Sequence, residues 1–144
     1  VNLVIDASVI IKAYVPEILA DKAEEVMTRV ADGELFLMAP DLLYSETGNI
    51  LWKKHRLQEL TLAEVDEIVD AISSLPIKIE PSRSVMSLAV TIAVHCGITV
   101  YDAMYVTVAN IYESKLITAD RKLVEKLATT DFSKYVQWLG AGIG

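Results

Sequence analysis

Four acidic residues stand where the chain could use them together: Asp6, Glu46, Asp102 and Asp120. Asp6 ends an apolar run made by Val1, Leu3, Val4 and Ile5, and Asp120 follows the run Leu116-Ile117-Thr118. Short apolar runs placed before helical patterns read as strands buried on both faces. Parallel sheets bind ligands at the carboxyl ends of their strands, and a central first strand puts Asp6 at the switch point. Asp102 opens a helical pattern before the second of those runs. Glu46 lies inside a helix, with Leu42, Leu43, Ile50 and Leu51 within one or two turns. Each acid also has a structural reading. Asp6, Asp102 and Asp120 can cap the helices that follow them, and a Glu near an apolar helix face sits on its rim or is held by a cation. Gathered in one crevice, however, four carboxylates repel unless a cation joins them. Mg²⁺ and Mn²⁺ prefer oxygen ligands, keep several waters and are held by a few carboxylates plus substrate phosphates. The chemistry implied is attack of metal-activated water on a phosphodiester, with the metal also stabilising the leaving oxygen. No side-chain nucleophile is needed.

Other chemistries lack their residues. The chain has no G-x-x-x-x-G-K and no G-x-G-x-x-G phosphate loop. Asp6-Ala7-Ser8 lacks the second Asp of phosphatases with an aspartyl nucleophile, and a phosphate-receiver domain would place two acids together after its first strand. Ser8 has no histidine partner: His55 ends a basic helix, and His95 lies in an apolar one and reads as core. Cys96 is the single cysteine, so it reads as a small core residue in a reducing cytoplasm, with no internal disulfide and no zinc spacing.

The elements that must position the acids alternate. Strand patterns cover residues 1–5, 35–39, 77–80, 116–118 and 135–139. Between them, helical patterns cover residues 9–15, ended by Pro16, and 17–31, closed by Asp32-Gly33. A third opens at Pro40-Asp41 and ends at Lys53-Lys54-His55-Arg56; a fourth starts from the capping box Thr61-Leu62-Ala63-Glu64. Residues 82–95 and 102–112 are apolar almost all round, which places those helices in the core or in an oligomer interface. A last short helix covers residues 121–127. Alternation of this kind means a parallel sheet with helices on both faces. At 144 residues, 53% hydrophobic and 23% charged, the chain makes one domain with one core, and residues 140–144 read as a flexible tail.

The net charge of −7 taken alone disfavours nucleic acid. Two bound divalent cations would reduce it to about −3 and make the site locally positive. No basic segment precedes the first apolar strand, which argues against a secretory signal. The longest uncharged stretch, residues 84–101, is interrupted by Thr91, His95, Gly97 and Thr99 and reads as a buried helix and turn rather than a membrane span.

Several pieces of the chain, in order, match one family. They are Asp6-Ala7-Ser8-Val9 with Lys12 and Pro16-Glu17; Pro40 with Glu46; Val100-Tyr101-Asp102-Ala103-Met104-Tyr105 with Ala109; and Leu116-Ile117-Thr118-Ala119-Asp120-Arg121-Lys122-Leu123. In these pieces, spread over nearly the whole length, the sequence resembles the PIN-domain family and, within it, the VapC-type toxin ribonucleases of toxin–antitoxin pairs. The resemblance implies an α/β fold: a three-layer α/β/α sandwich whose five-stranded parallel sheet has the order 3-2-1-4-5. It implies Mg²⁺ or Mn²⁺ held by Asp6, Glu46, Asp102 and Asp120, endonucleolytic cleavage of RNA, a homodimer, and inhibition by a small antitoxin whose peptide enters the acidic crevice. On the same resemblance, Asp6 and Asp102 look like direct ligands. Asp120 looks like a ligand or the holder of a coordinated water, and Glu46 like a ligand or an orienter of that water. Ser8 and Thr118 look like hydroxyls that position the carboxylates. Some relatives carry a further acid a few positions past the fourth carboxylate; Leu123 stands in that neighbourhood here, so one or two ions remain open.

Lys12 reads as a contact to substrate phosphate, a partner of a site carboxylate or a solvated lysine. Arg121 and Lys122, beside Asp120, are placed for phosphate; the basic run 53–56 could track RNA backbone or simply end a helix in water. Tyr14, Tyr44, Tyr101 and Tyr105 could stack bases or pack in the core. Two other roles are compatible with the same residues: a PIN-fold module that binds RNA or protein with little activity, and a PIN nuclease that works in RNA processing or on DNA outside a toxin system.

Overall fold

In the computed structural model, which describes residues 1–143, the first apolar run forms β1 (Asn2–Ile5) at the centre of a five-stranded sheet. The order is β3 (Ile77–Glu80), β2 (Phe36–Pro40), β1, β4 (Lys115–Thr118), β5 (Val136–Trp138). Every neighbouring pair is parallel. This is the expected topology, and the order reverses between β1 and β4, where Ile5 lies opposite Ile117. Successive residues are buried in each central strand: Leu3, Val4 and Ile5; Leu37, Met38, Ala39 and Pro40; Leu116, Ile117 and Thr118. Successive strand residues point to opposite faces, so helices cover both faces of the sheet. Each fully buried Leu or Ile contributes about 1.5–3 kcal/mol of apolar transfer energy.

The covering helices are α1 (Ala7–Lys12), α2 (Ala20–Ala31), α3 (Leu42–Arg56), α4 (Leu62–Ser73), α5 (Ser82–Cys96), α6 (Val100–Ile111) and α7 (Arg121–Leu127). Helix α6 packs on β1, β2 and β4 with residues Ala103 to Ala109 all buried, and α3 packs on α1 and β2. The capping box at Thr61 forms with both of its hydrogen bonds. No single helix among the described residues is long and apolar enough to cross a membrane.

Several local expectations change. Helix α2 starts at Ala20 rather than residue 17, because Leu19 takes a left-handed backbone (φ 70°) that a helix cannot include. Residues 16–19 therefore form a loop that carries Glu17. Pro40 ends β2 instead of opening α3. The next residue, Asp41, donates its N–H to the Glu80 carbonyl (2.9 Å) and accepts from Ser82 N–H (3.1 Å), so it ties β2 to the start of α5. Helix α5 is not buried all round. Val85, Ala89, Ile92 and Ala93 face α6 and the core, whereas Met86, Val90 and Val94 form an exposed stripe at helical spacing. His95, expected in the core, is exposed with its ring edge-on to Phe132 at 6.3 Å, and Cys96 is only half-buried. The tail expected to be flexible makes contacts up to Ile143. Residues Leu139–Ala141 make a 3-10 turn, and the carbonyls of Gly142 and Ile143 accept from Gln137 and Arg29 respectively. Gly144 lies outside the described residues.

Candidate active site

Asp6 and Asp120 follow two adjacent strands, and both begin helices. Asp6 Oδ1 accepts the Val9 N–H (3.2 Å) and the Ser8 hydroxyl (2.6 Å); Asp120 Oδ1 accepts the Leu123 N–H (3.2 Å). The capping reading is therefore correct for both, and it does not exhaust them, since a carboxylate offers two oxygens with several lone-pair sites. Asp102 is different. Thr99 is the residue that caps α6, accepting the Asp102 N–H at 3.1 Å, so the Asp102 side chain lies in the first turn without a capping duty. Glu46 extends from the second turn of α3 and accepts the Tyr105 hydroxyl from α6.

These four carboxylates line one cavity of about 240 Å³ together with Ser8, Asn49 and Tyr105. No lysine, arginine or histidine lines it. Burial pushes the Asp6 carboxyl up to about 6, against the hydrogen bonds from Ser8, Thr118 and the Val9 N–H, and the Glu46 charge pushes the same way. Burial also raises Glu46, opposed by the Tyr105 hydroxyl and reinforced by Asp102. Asp102 is raised by burial and then by Asp120, with Thr99 and the Lys126 charge pulling it down. The Tyr105 hydroxyl, buried and bonded to Glu46, is raised and stays a donor. The crevice thus holds excess negative charge that the protein itself leaves uncompensated.

That donor set suits a hard divalent cation. Among the described residues no three acids converge as a preformed cage. A cation that keeps several waters and takes few carboxylates needs a lined space of this kind rather than a closed cage. Ser8 and Thr118 sit behind the acids. The Ser8 hydroxyl accepts the Ala119 N–H (3.0 Å) while donating to Asp6, and Thr118 Oγ1 accepts the Asp120 N–H (3.0 Å). One serine thereby couples the ends of β1 and β4, which fixes the separation of the two aspartates.

The basic residues separate into three groups. Lys12 does not reach the acidic cavity but lines the next one, paired to Glu17 at 3.1 Å. Arg121 is exposed and stacks on the Trp138 ring (4.5 Å), with Glu125 at 3.9 Å, so it covers the end of β5 and does not line the crevice. Lys122 is exposed and also outside the lining. Sequence reasoning missed Tyr105 as a partner of Glu46, Asn49 on the cavity wall and Lys126 near Asp102. Asn49 lies one turn after Glu46 on α3, a spacing that places both on one helix face and could have been used. A larger cavity of about 570 Å³ lies at the opposite edge, lined by Asn2, Ser114, Lys115 and Lys134, with one carboxylate, Glu113.

The PIN domain family matches residues 3–128 of the chain. Ribonuclease VapC3 of Pyrobaculum aerophilum is 35% identical over 127 residues, which is 87% of this chain and 94% of that protein. Among solved structures, PAE2754 from Pyrobaculum aerophilum is similar with a TM-score of 0.68 and 26% identity, covering 98% of this chain and 85% of that one. A toxin–antitoxin complex from Klebsiella pneumoniae shares the fold, with a TM-score of 0.62 and 12% identity over 94% of this chain and 95% of that one. With strand order, crevice and sequence in agreement, the chain belongs to the PIN domain family, among its VapC-type ribonucleases.

Proposed function

We propose that the chain is a metal-dependent endoribonuclease, the toxin of a toxin–antitoxin pair, with Asp6, Glu46, Asp102 and Asp120 as its metal-holding and catalytic residues. The observation that carries this reading is one cavity with four carboxylates on its wall and no basic residue among them. Mg²⁺ or Mn²⁺, as one ion or two, would supply an activated water and charge stabilisation at the leaving oxygen. Asp6 and Asp102 would hold it directly, with Asp120 and Glu46 as further ligands or as acceptors that orient water. The Ser8 and Tyr105 hydroxyls act on the protein side: each donates to one carboxylate and fixes its direction. The crevice lies at the carboxyl ends of β1 and β4, where a single RNA strand would meet the acids.

The partners follow from the same reading. An antitoxin peptide bearing a cation would fill the acidic crevice and neutralise it. A second copy of the chain would cover the apolar stripe Met86, Val90 and Val94 on α5, giving a homodimer. The half-buried single Cys96 asks for no oxidising compartment, and the reading assigns the chain to the cytoplasm.

The test is cleavage of a labelled single-stranded RNA with Mg²⁺, Mn²⁺ or EDTA, beside Asp6→Asn and Asp102→Asn proteins. Cleavage that requires both metal and both aspartates is the expected result. Folded protein that binds metal and cuts no RNA would favour a binding module instead. Absence of metal binding would overturn the metal site and leave Asp6 and Asp120 as helix caps.

A further inference from the structure

Beside the acidic cavity lies a second cavity of about 240 Å³, and Ser8, Ile50 and Asp120 line both. The two are compartments of one groove. The second is lined by Lys12 from α1 and Lys54 from α3, with Glu17 from the loop before α2. Glu17 bridges the two lysines: its Oε2 accepts from Lys12 Nζ at 3.1 Å, and its Oε1 accepts from Lys54 Nζ. Within the basic run 53–56, Lys54 alone is withdrawn from solvent; Lys53, His55 and Arg56 are exposed. Both lysine side chains are 17% exposed.

Two facts make this more than an ion pair. The first is charge. Two ammonium groups share one hydrogen-bonded carboxylate; Glu59, at 3.7 Å from Lys54 and 55% exposed, adds a weak and screened contact, and Asp120 on the shared wall bonds neither lysine. Two like charges drawn together on one acceptor repel, and an anion seated between them relieves that repulsion. The second is donors. An ammonium has three N–H donors, and Glu17 occupies one from each lysine. The rest are pre-positioned at the groove by a brace that has already restricted two flexible side chains.

We propose that Lys12 and Lys54, braced by Glu17, form an anion subsite that takes the backbone phosphate of the nucleotide next to the one held at the carboxylates. The inference rests on the nuclease reading above and adds to it where the strand lies: along the line from α6 across Asp120 to the α1–α3 cleft. It also gives an acidic protein a means of gripping RNA locally, since the anionic and cationic compartments share a wall.

The experiment measures binding of a labelled single-stranded RNA by anisotropy in Mg²⁺ over a range of salt, with the non-cleaving Asp102→Asn protein as parent. Adding Lys54→Ala should weaken binding about tenfold and lower the slope of log K against log salt by about 0.7, one phosphate's share for a single strand. Lys115→Ala, at the far edge of the sheet, should change neither. A Glu17→Ala/Lys54→Ala pair on the same parent should stay weak, because the cation is still missing. Return of that pair to parental affinity would mean that the freed Glu17 carboxylate caused the loss, and would overturn the subsite. A parent that binds RNA with Lys54→Ala unchanged in affinity and slope would overturn it too, leaving the nuclease reading intact. A parent that binds no RNA at all would remove both.

Discussion

Asp6→Asn should stabilise the metal-free protein, and by an amount that grows with pH. Asp6 is 9% exposed, and burial raises its carboxyl from 3.8 to about 6. The folded state therefore holds this proton more tightly than the unfolded state. Stability from the protonated form is fully present below about pH 4 and is lost as pH rises through about 6. A displacement of roughly two units corresponds to about 3 kcal/mol. The amide keeps an acceptor for the Val9 N–H and the Ser8 hydroxyl but has no charge to bury. Urea unfolding in EDTA, followed by Trp52 and Trp138 fluorescence near pH 4 and near pH 7.5, reads the effect. The stability difference, variant minus wild type, should rise by about 3 kcal/mol between the two pH values. Excess Mn²⁺ near pH 7.5 should reverse the order, because a ligand that binds only the folded wild type stabilises it by mass action. A difference that is the same at both pH values would refute the buried-charge argument. Equal stabilisation of both proteins by Mn²⁺ would refute Asp6 as a metal ligand.

Tyr105→Phe keeps the buried ring and removes the donor to Glu46; cleavage should fall about tenfold or more, and the acid limb of its pH profile should move to higher pH as Glu46 loses the bond that lowers it. Unchanged cleavage and profile would mean that the hydroxyl serves packing alone. Ser8→Ala strands the Ala119 N–H and should cost about 1–3 kcal/mol in urea unfolding. Val90→Glu places a charge in the exposed stripe of α5 and should make the proposed homodimer sediment as a monomer in analytical ultracentrifugation; a wild-type protein that is already monomeric would refute the dimer. Gly140→Ala would put its Cβ 2.3 Å from the Trp138 ring, so it should destabilise by about 1–3 kcal/mol, whereas a truly loose tail would tolerate it.

The parts of the fold legible in sequence were those set by local signals that tertiary contacts reinforce. The runs around Val4, Met38 and Ile117 are apolar on both faces because helices cover both, and the capping box at Thr61 acts within four residues. What escaped the sequence depends on partners far along the chain. Pro40 reads as a helix opener, but pairing with Glu80 keeps it in the sheet. Residues 17–19 have helical composition, yet Leu19 turns left-handed, and the loop it makes lets Glu17 reach Lys12 and Lys54. His95 has apolar neighbours in sequence, but it lies on an exposed side of α5, where the edge of Phe132 meets its ring. Arg121 adjoins Asp120 in sequence, and the aromatic ring of Trp138 takes it away from the crevice.

The acids show why a single-residue reading of a site can be correct and incomplete. Asp6 and Asp120 satisfy the capping reading, and that is what makes them useful: a carboxylate pinned through Oδ1 to a helix amide has lost its rotamer freedom before any ligand arrives. Ser8 carries the same logic one step further, since its hydroxyl joins Asp6 to the end of the strand that bears Asp120. Glu46 and Asp102 cap nothing; the Tyr105 hydroxyl directs the Glu46 carboxylate, and the Thr99-capped first turn of α6 sets the backbone from which Asp102 projects. Burial first, and the charge of a neighbouring acid after it, raise the carboxyl groups of Asp6, Glu46 and Asp102. At Asp6 and Asp120 structural capping and cation binding are thus successive uses of one carboxylate, and the stability given up by burying charged acids is the part a metal ion would restore.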